Sequence, residues 1–168
     1  MMKRNLLIML TFVSMAAVAQ SHFGYISYRE IVKALPEYAI VEADLDTLQT
    51  KYEAEIERAD REFNQKYADF IDEQDRLPEN LRIKRHKELQ ELMERSIAFK
   101  DEVNSAMREA RAEMMQPLYD RVDEAITTIC EDNGYDYILN TDEKTYLVIN
   151  PKRGKDITEK VKKELGIE

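Results

Sequence analysis

The chain has 168 residues, with 25 Lys plus Arg against 34 Asp plus Glu, a formal net charge of −9, 43% hydrophobic residues and one cysteine. So acidic a balance repels a phosphate backbone and argues against a nucleic-acid partner. A lone cysteine excludes an intrachain disulfide even in an oxidising compartment.

In chain order, the start MMKRNLLIMLTFVSMAAVAQ sets Lys3 and Arg4 before an apolar run from Leu6 to Met15 and the small-residue pattern Ala17-Val18-Ala19. This is the layout of a cleavable secretory signal, and its apolar run is too short to span a bilayer. Residues 1–19 are therefore kept out of the fold. No cysteine follows the apolar run, so no lipid anchor is expected, and the remaining chain, at −11 without Lys3 and Arg4, should be soluble and outside the cytoplasm.

Next comes a strand, FGYISY from Phe23 to Tyr28, and a short helical link, REIVKAL, before Pro36. Residues 25–133 then contain no glycine, and Pro78 lies near the centre of that stretch. Glycine and proline are the main local punctuation, so the middle reads as helix broken at Pro78. Leu45, Leu48, Tyr52, Ile56, Ala59, Phe63, Tyr67 and Phe70 recur every three or four residues, and Leu89, Leu92, Ser96, Phe99, Val103, Met107, Ala110 and Met114 do the same. Each set falls on one stripe of a helix. Two such helices joined at LPEN make an antiparallel hairpin. Arms over residues 42–75 and 80–115 would each be about 50 Å long, long enough to protrude from a domain of this size.

The two arms differ in charge. Residues 42–75 carry 12 acids and 4 bases, whereas 76–115 carry 8 acids and 9 bases. Folding at Pro78 brings the run RIKRHK, with Arg82, Lys84, Arg85 and Lys87, alongside Asp69, Asp72, Glu73 and Asp75. The plain reading is that these charges pair across the hairpin, each pair contributing little. The sharper reading is a basic tip that touches an anionic surface.

Beyond the arm, Pro117 is placed to restart a helix that stops at Asn133-Gly134. Met115, Tyr119, Val122 and Ile126 form one stripe there, with Leu118, Ala125 and Ile129 on another face, so burial on two sides is expected. Cys130, beside Ile126 and Ile129, reads as a small buried hydrophobe. The stretch NGYDYILNTDEKTYLVINP then predicts two strands, Tyr135–Asn140 and Thr145–Asn150, paired with each other and with Phe23–Tyr28. A last helix opens at DITE, Asp156 to Glu159, as an N-cap with an acid three residues on, and closes at Gly166.

The fold class is thus mainly α with a small β part: residues 20–41 and 116–168 form a body, and residues 42–115 form a helical arm. Three short strands and three short helices make a thin core for arms of this length, and oligomerisation would cover the exposed faces and sheet edges. The residues expected to build that oligomeric body are Tyr25, Ile26, Tyr119, Ile126, Tyr137, Leu139, Tyr146 and Val148.

In layout the chain resembles the Skp (OmpH) family of periplasmic chaperones for outer-membrane proteins. The resemblance rests on FGYISYREIVKALPEY, the hairpin turning near LPENLRIKRHKELQEL, the segment PLYDRVDEAITTICEDNGYDYIL and the ending TYLVINPKRGKDITEKVKKEL, and spans residues 22–168. It implies a jellyfish-like homotrimer with a shared β-containing body. Three arms would enclose a cavity that holds unfolded outer-membrane β-barrel proteins without ATP. The well-known members are basic, whereas this chain is acidic. That balance argues against contact with membrane or lipopolysaccharide except through the basic tip.

A holdase needs dispersed apolar contacts on an adaptable, solvated surface. Ile71, Ile83, Met93 and Ile97 lie off the inter-arm stripes, and Tyr67 and Phe99 lie at their edges; these six are the candidate client contacts. No cofactor or metal is expected. The sequence contains no G-x-x-x-x-G-K-[ST] loop, H-E-x-x-H, C-x-x-C or G-x-S-x-G, so an enzyme is not expected. The rival reading is a structural or adaptor coiled coil that binds one folded partner through one patch.

Overall fold

The computed structural model describes residues 22–142, 149–150 and 152–167. Seven elements follow in the order β1 (Phe23–Ile26), α1 (Tyr28–Ala34), α2 (Pro36–Glu73), α3 (Glu79–Asn133), β2 (Tyr137–Asn140), β3 (Gly154–Asp156) and α4 (Thr158–Glu164). The fold is mainly α with a small β part. Two compact units are present, one joining the chain ends up to Ile31 and from Val122 on, the other spanning Val32–Arg121.

In the unit of the chain ends, β1 is the central strand of a three-stranded sheet ordered β2-β1-β3. Both neighbours run parallel to it, with Phe23 opposite Tyr137 and Gly154. Gly24 and Ile26 alternate inward along β1, as a half-buried strand requires. A Cβ at Gly24 would stand 3.0 Å from Ile157 Cδ1, so glycine lets the strand lie close over Ile157. Ile26, Ile31, Val122, Ala125, Ile129, Tyr135, Ile157, Val161 and Leu165 are buried in this unit.

The expected strand Phe23–Tyr28 is shorter by two residues because Ser27 works as a cap. Its Oγ accepts from the Glu30 N–H at 3.3 Å and donates to Asp142 Oδ1 at 2.7 Å. Asp142 Oδ2 also accepts from the Arg29 N–H at 2.5 Å. These acceptors satisfy N–H groups that a helix start leaves open, and the chain turns into α1 at Tyr28. Strand β2 starts at Tyr137 rather than Tyr135, since Tyr135 donates its N–H to Cys130 O at 3.1 Å in the closing turn of α3. Its expected hairpin partner Thr145–Asn150 lies largely outside the described residues, and Tyr146 and Val148 lie wholly outside them.

The second unit contains the helical hairpin. Leu35 is extended at φ −63° and ψ 130° ahead of Pro36, as a residue before proline prefers. Pro36 opens α2 at a position where its missing N–H costs nothing, so the first arm begins six residues earlier than residue 42. At the far end the Pro78 carbonyl accepts from the N–H groups of Leu81 and Arg82, both at 3.0 Å, and starts α3. Antiparallel pairing is fixed by contacts between the arms: Arg121 Nη1 to Glu37 Oε1 at 2.6 Å, Arg111 Nη1 to Glu42 Oε1 at 2.7 Å and Lys100 Nζ to Asp60 Oδ1 at 2.9 Å.

Pro117 restarts nothing: α3 is continuous from Glu79 to Asn133 with the proline inside it. Met115 and Leu118, on either side of it, are 2% and 7% exposed, and this packing carries the helix past one missing hydrogen bond. Met115, Leu118, Val122, Ala125 and Ile129 make a single buried stripe. The expected two-sided burial is thus one-sided within a chain. Gly134 closes α3 with φ +63°, the left-handed conformation glycine supplies at a helix end. Gly166, at φ +72°, does the same after α4.

At α4 the expected capping box is replaced by a simpler bond. Asp156 Oδ1 accepts the Thr158 N–H at 3.0 Å, while Glu159 pairs with Lys162 at 2.8 Å instead of reaching back.

Candidate functional site

The hairpin seam follows the two sequence stripes, but only thinly. Leu45, Leu89 and Val103 are buried, whereas Leu48, Tyr52, Ile56, Phe63, Phe70, Leu92, Phe99 and Met107 are half-buried. A pair of helices offers each stripe only one covering partner, so half-burial is what two layers alone provide.

Midway along the arms a polar group interrupts the seam. Asp60 accepts from Ser96 Oγ at 3.1 Å and from Lys100 Nζ at 2.9 Å through both carboxylate oxygens. The Lys100 ammonium, with Ser96 helping against some desolvation, holds the Asp60 carboxyl below its usual range. Glu42 is lowered in the same way, chiefly by Arg111, and Glu37 by a backbone hydrogen bond and then by Arg121. Sequence reading counted Ser96 within an apolar stripe and passed over Asp60 and Lys100. A serine at a stripe position, facing an acid on the other arm, is the signal that could have found them.

The basic run does not pair as expected. Arg82 reaches Glu79 at 3.6 Å, Lys84 and Arg85 reach Glu88 at 3.7 and 2.9 Å, and Lys87 reaches Glu91 at 3.8 Å. All three partner acids lie three or four residues away on α3 itself, the spacing at which helix neighbours meet. None of the described ion pairs joins this run to Asp69, Asp72, Glu73 or Asp75. In the same part of the arms the helices leave a groove of about 530 Å³, with Phe70, Leu77, Leu89 and Leu92 along it and Lys66, Asp69, Glu73, Glu88, Glu91 and Arg95 among the charges at its rim.

Five of the six candidate client contacts are exposed: Tyr67, Ile71, Ile83, Met93 and Ile97, the last at 54%. Phe99 is half-buried. Leu81, at 44%, is an exposed apolar residue at the tip that sequence reading missed. Tyr67 is not solitary, since its ring stacks on Phe63 at 5.9 Å.

Of the candidate body residues, Ile26 is buried at 2% inside its own chain's core, and Tyr25, Ile126 and Leu139 are half-buried. Tyr119 and Tyr137 are exposed, Tyr137 at 44% while stacked on Phe23 with ring centroids 5.4 Å apart. Cys130 is half-buried rather than buried, its thiol donating to Tyr135 O at 3.3 Å. Among the described residues no cluster of His, Cys, Asp and Glu could hold a metal ion. No described helix is long and apolar enough to cross a membrane.

The model of the OmpH-like outer membrane protein family matches residues 22–165, most of the chain. The chain belongs to this OmpH-like family. Its fold is similar to the crystal structure of a protein from Caulobacter crescentus CB15 that carries the provisional description outer membrane chaperone (OmpH-like). The TM-score is 0.68 at 13% identity, over 87% of this chain and 83% of that one. At that identity the likeness is one of fold. No curated protein matches the chain significantly. The family match covers the hairpin and both strand-bearing ends, so the arm and the sheet are parts of one family architecture.

Proposed function

We propose that this protein is an ATP-independent holdase chaperone that binds unfolded outer-membrane proteins and keeps them from aggregating in transit across the periplasm. The observation that carries the reading is the set of separate, exposed apolar side chains on a charged, OmpH-like hairpin. Such a surface offers many weak contacts in place of one tight one, which suits clients that share little sequence. Met93 adds a side chain that adapts its shape to what it meets.

In this reading the chain works as a homotrimer whose arms share one client, so that several weak contacts add into useful avidity. The half-exposed Tyr119, Tyr137, Ile126 and Leu139 would be covered by other copies. Release is passive, driven by the greater stability of the client once folded in the membrane. The signal-like start directs the chain to the periplasm.

The test is dilution of a urea-unfolded outer-membrane barrel protein into buffer with stoichiometric purified chaperone, followed by light scattering. Suppressed scattering is the expected outcome. Unchanged scattering would hand the case to the adaptor coiled coil, which binds one folded partner.

A further inference from the structure

The ion pair between Asp60 and Lys100 marks one broad side of the hairpin, because both side chains must reach over the seam from that side to meet at 2.9 Å. At about 100° per residue, positions three, four, seven and eleven apart share a helix face. From Asp60 toward the tip, α2 therefore carries Asn64, Tyr67 and Ile71 on that side. From Lys100 toward the tip, α3 carries Ile97 and Met93, with Gln90 and His86 beyond. All seven are exposed, and none carries a formal charge at neutral pH.

The opposite side is different. Lys66, Asp69 and Glu73 stand roughly half a turn round α2 from Asp60, and Glu88, Glu91 and Arg95 roughly half a turn round α3 from Lys100. These are the rim charges of the groove. On a chain of net charge −9, the distal hairpin between the Asp60–Lys100 pair and His86 thus has one side without formal charge and one charged side; Arg82, paired with Glu79, brings charge back to the first side only at the tip. Phe99, one residue from Lys100, falls away from the neutral side.

We infer that the neutral side is where an unfolded chain lies, and that it selects extended, uncharged segments rich in apolar side chains. The inference rests on the holdase reading and deepens it. Charge complementarity makes the choice of occupant. Asn64 and His86 offer donors and acceptors to an unpaired backbone and Gln90 its amide oxygen, its Nε2 already donating to Glu94 at 3.0 Å, while Tyr67, Ile71, Met93 and Ile97 take the apolar side chains between them. A charged segment finds no counter-ion there, and a charged segment of either sign is better served by the opposite side. Holding by the neutral side is therefore insensitive to salt, since no ion pair has to be screened.

Two measurements test this on the full chain. Met93→Glu combined with Ile97→Glu should raise the concentration that half-suppresses client scattering by about tenfold, or about 1.4 kcal/mol, whereas Glu88→Gln combined with Glu91→Gln should leave it unchanged. In a Cys130→Ser background, a benzophenone label at Ile71→Cys or Ile97→Cys should crosslink a diluted barrel protein, and the same label at Asp69→Cys or Glu91→Cys should not. Equal crosslinking from both sides, or salt-sensitive holding, overturns the sidedness while the wild type's holding stands. Crosslinks from Ile97→Cys that join two copies of the chain instead of a client overturn it in favour of a self-contact. Loss of holding in the wild type itself removes the chaperone reading and the inference with it.

Discussion

At the residue scale, Gly24 shows how little room the sheet has. Its hypothetical Cβ would meet Ile157 Cδ1 at 3.0 Å, Ile157 Cγ1 at 3.2 Å and Ile138 Cγ1 at 3.6 Å. Ile157 is 1% exposed, so the few tenths of an ångström by which it must give are taken from a closed core. Gly24→Ala should therefore destabilise the protein by about 1–3 kcal/mol, the usual cost of overpacking, read as a lower thermal midpoint; an unchanged midpoint would mean the strand can lift off Ile157. Sequence alone places Gly24 in a strand and leaves its contacts unseen, because Ile157 is 133 positions away. Ser27 is similar. A serine before a helical segment can be read as a cap, but its partnership with Asp142 is visible only in three dimensions. The exposure of Ile71, Ile83, Met93 and Ile97 was legible, since leaving a helical stripe is a local property of the sequence.

At the element scale, the arms are joined by a thin apolar seam and by Glu37–Arg121, Glu42–Arg111 and Asp60–Lys100. The three carboxyls have pKa values below their ordinary 4.5, 4.5 and 3.8, so the folded hairpin binds these protons less readily than the unfolded chain. The pairs' contribution is complete above the ordinary values and is lost as pH falls through the lowered ones. Thermal melts should show the hairpin weakening on acidification below about pH 4.5, and Asp60→Asn should make that acid limb shallower while lowering the midpoint slightly at pH 7. An acid limb identical to the wild type's would show that Asp60 does not contribute. The periodicities made the hairpin and its turn legible, because long helices write their packing into local spacing. The continuity of α3 through Pro117 was not legible, since the packing of Met115 and Leu118 outweighs a local helix-breaking signal. The pairing of the basic run was not legible for a related reason: acids three and four residues along the same helix lie nearer to it than those across the turn.

At the scale of the whole molecule, a single chain leaves Tyr119 and Tyr137 exposed and Ile126 and Leu139 half-covered. If other copies cover them, stability depends on protein concentration by mass action. Sedimentation equilibrium at micromolar concentration should give a mass above that of the monomer, and the thermal midpoint should rise with concentration; a monomer with a fixed midpoint would remove the assembly. The pairing of β1 with β2 follows the sequence reading, which set Phe23–Tyr28 beside Tyr135–Asn140. The parallel sense of that pairing and the second neighbour β3 were not legible, because no local spacing marks the direction or the number of a distant strand's neighbours.

That central position of β1 also dictates an order of events. Synthesis and export alike deliver Phe23–Ile26 first, and the strands that flank it on both sides come only with residues 137–156. Until then β1 is a nascent segment with two unpaired edges, the state in which strands are most open to wrong partners. The hairpin in between is local and quick to form, and by closing on itself at Glu37 and Arg121 it shortens the loop that β1 must close to find β2. A chain cut short before Gly154 would keep its longest helices and leave its first strand bare along one edge.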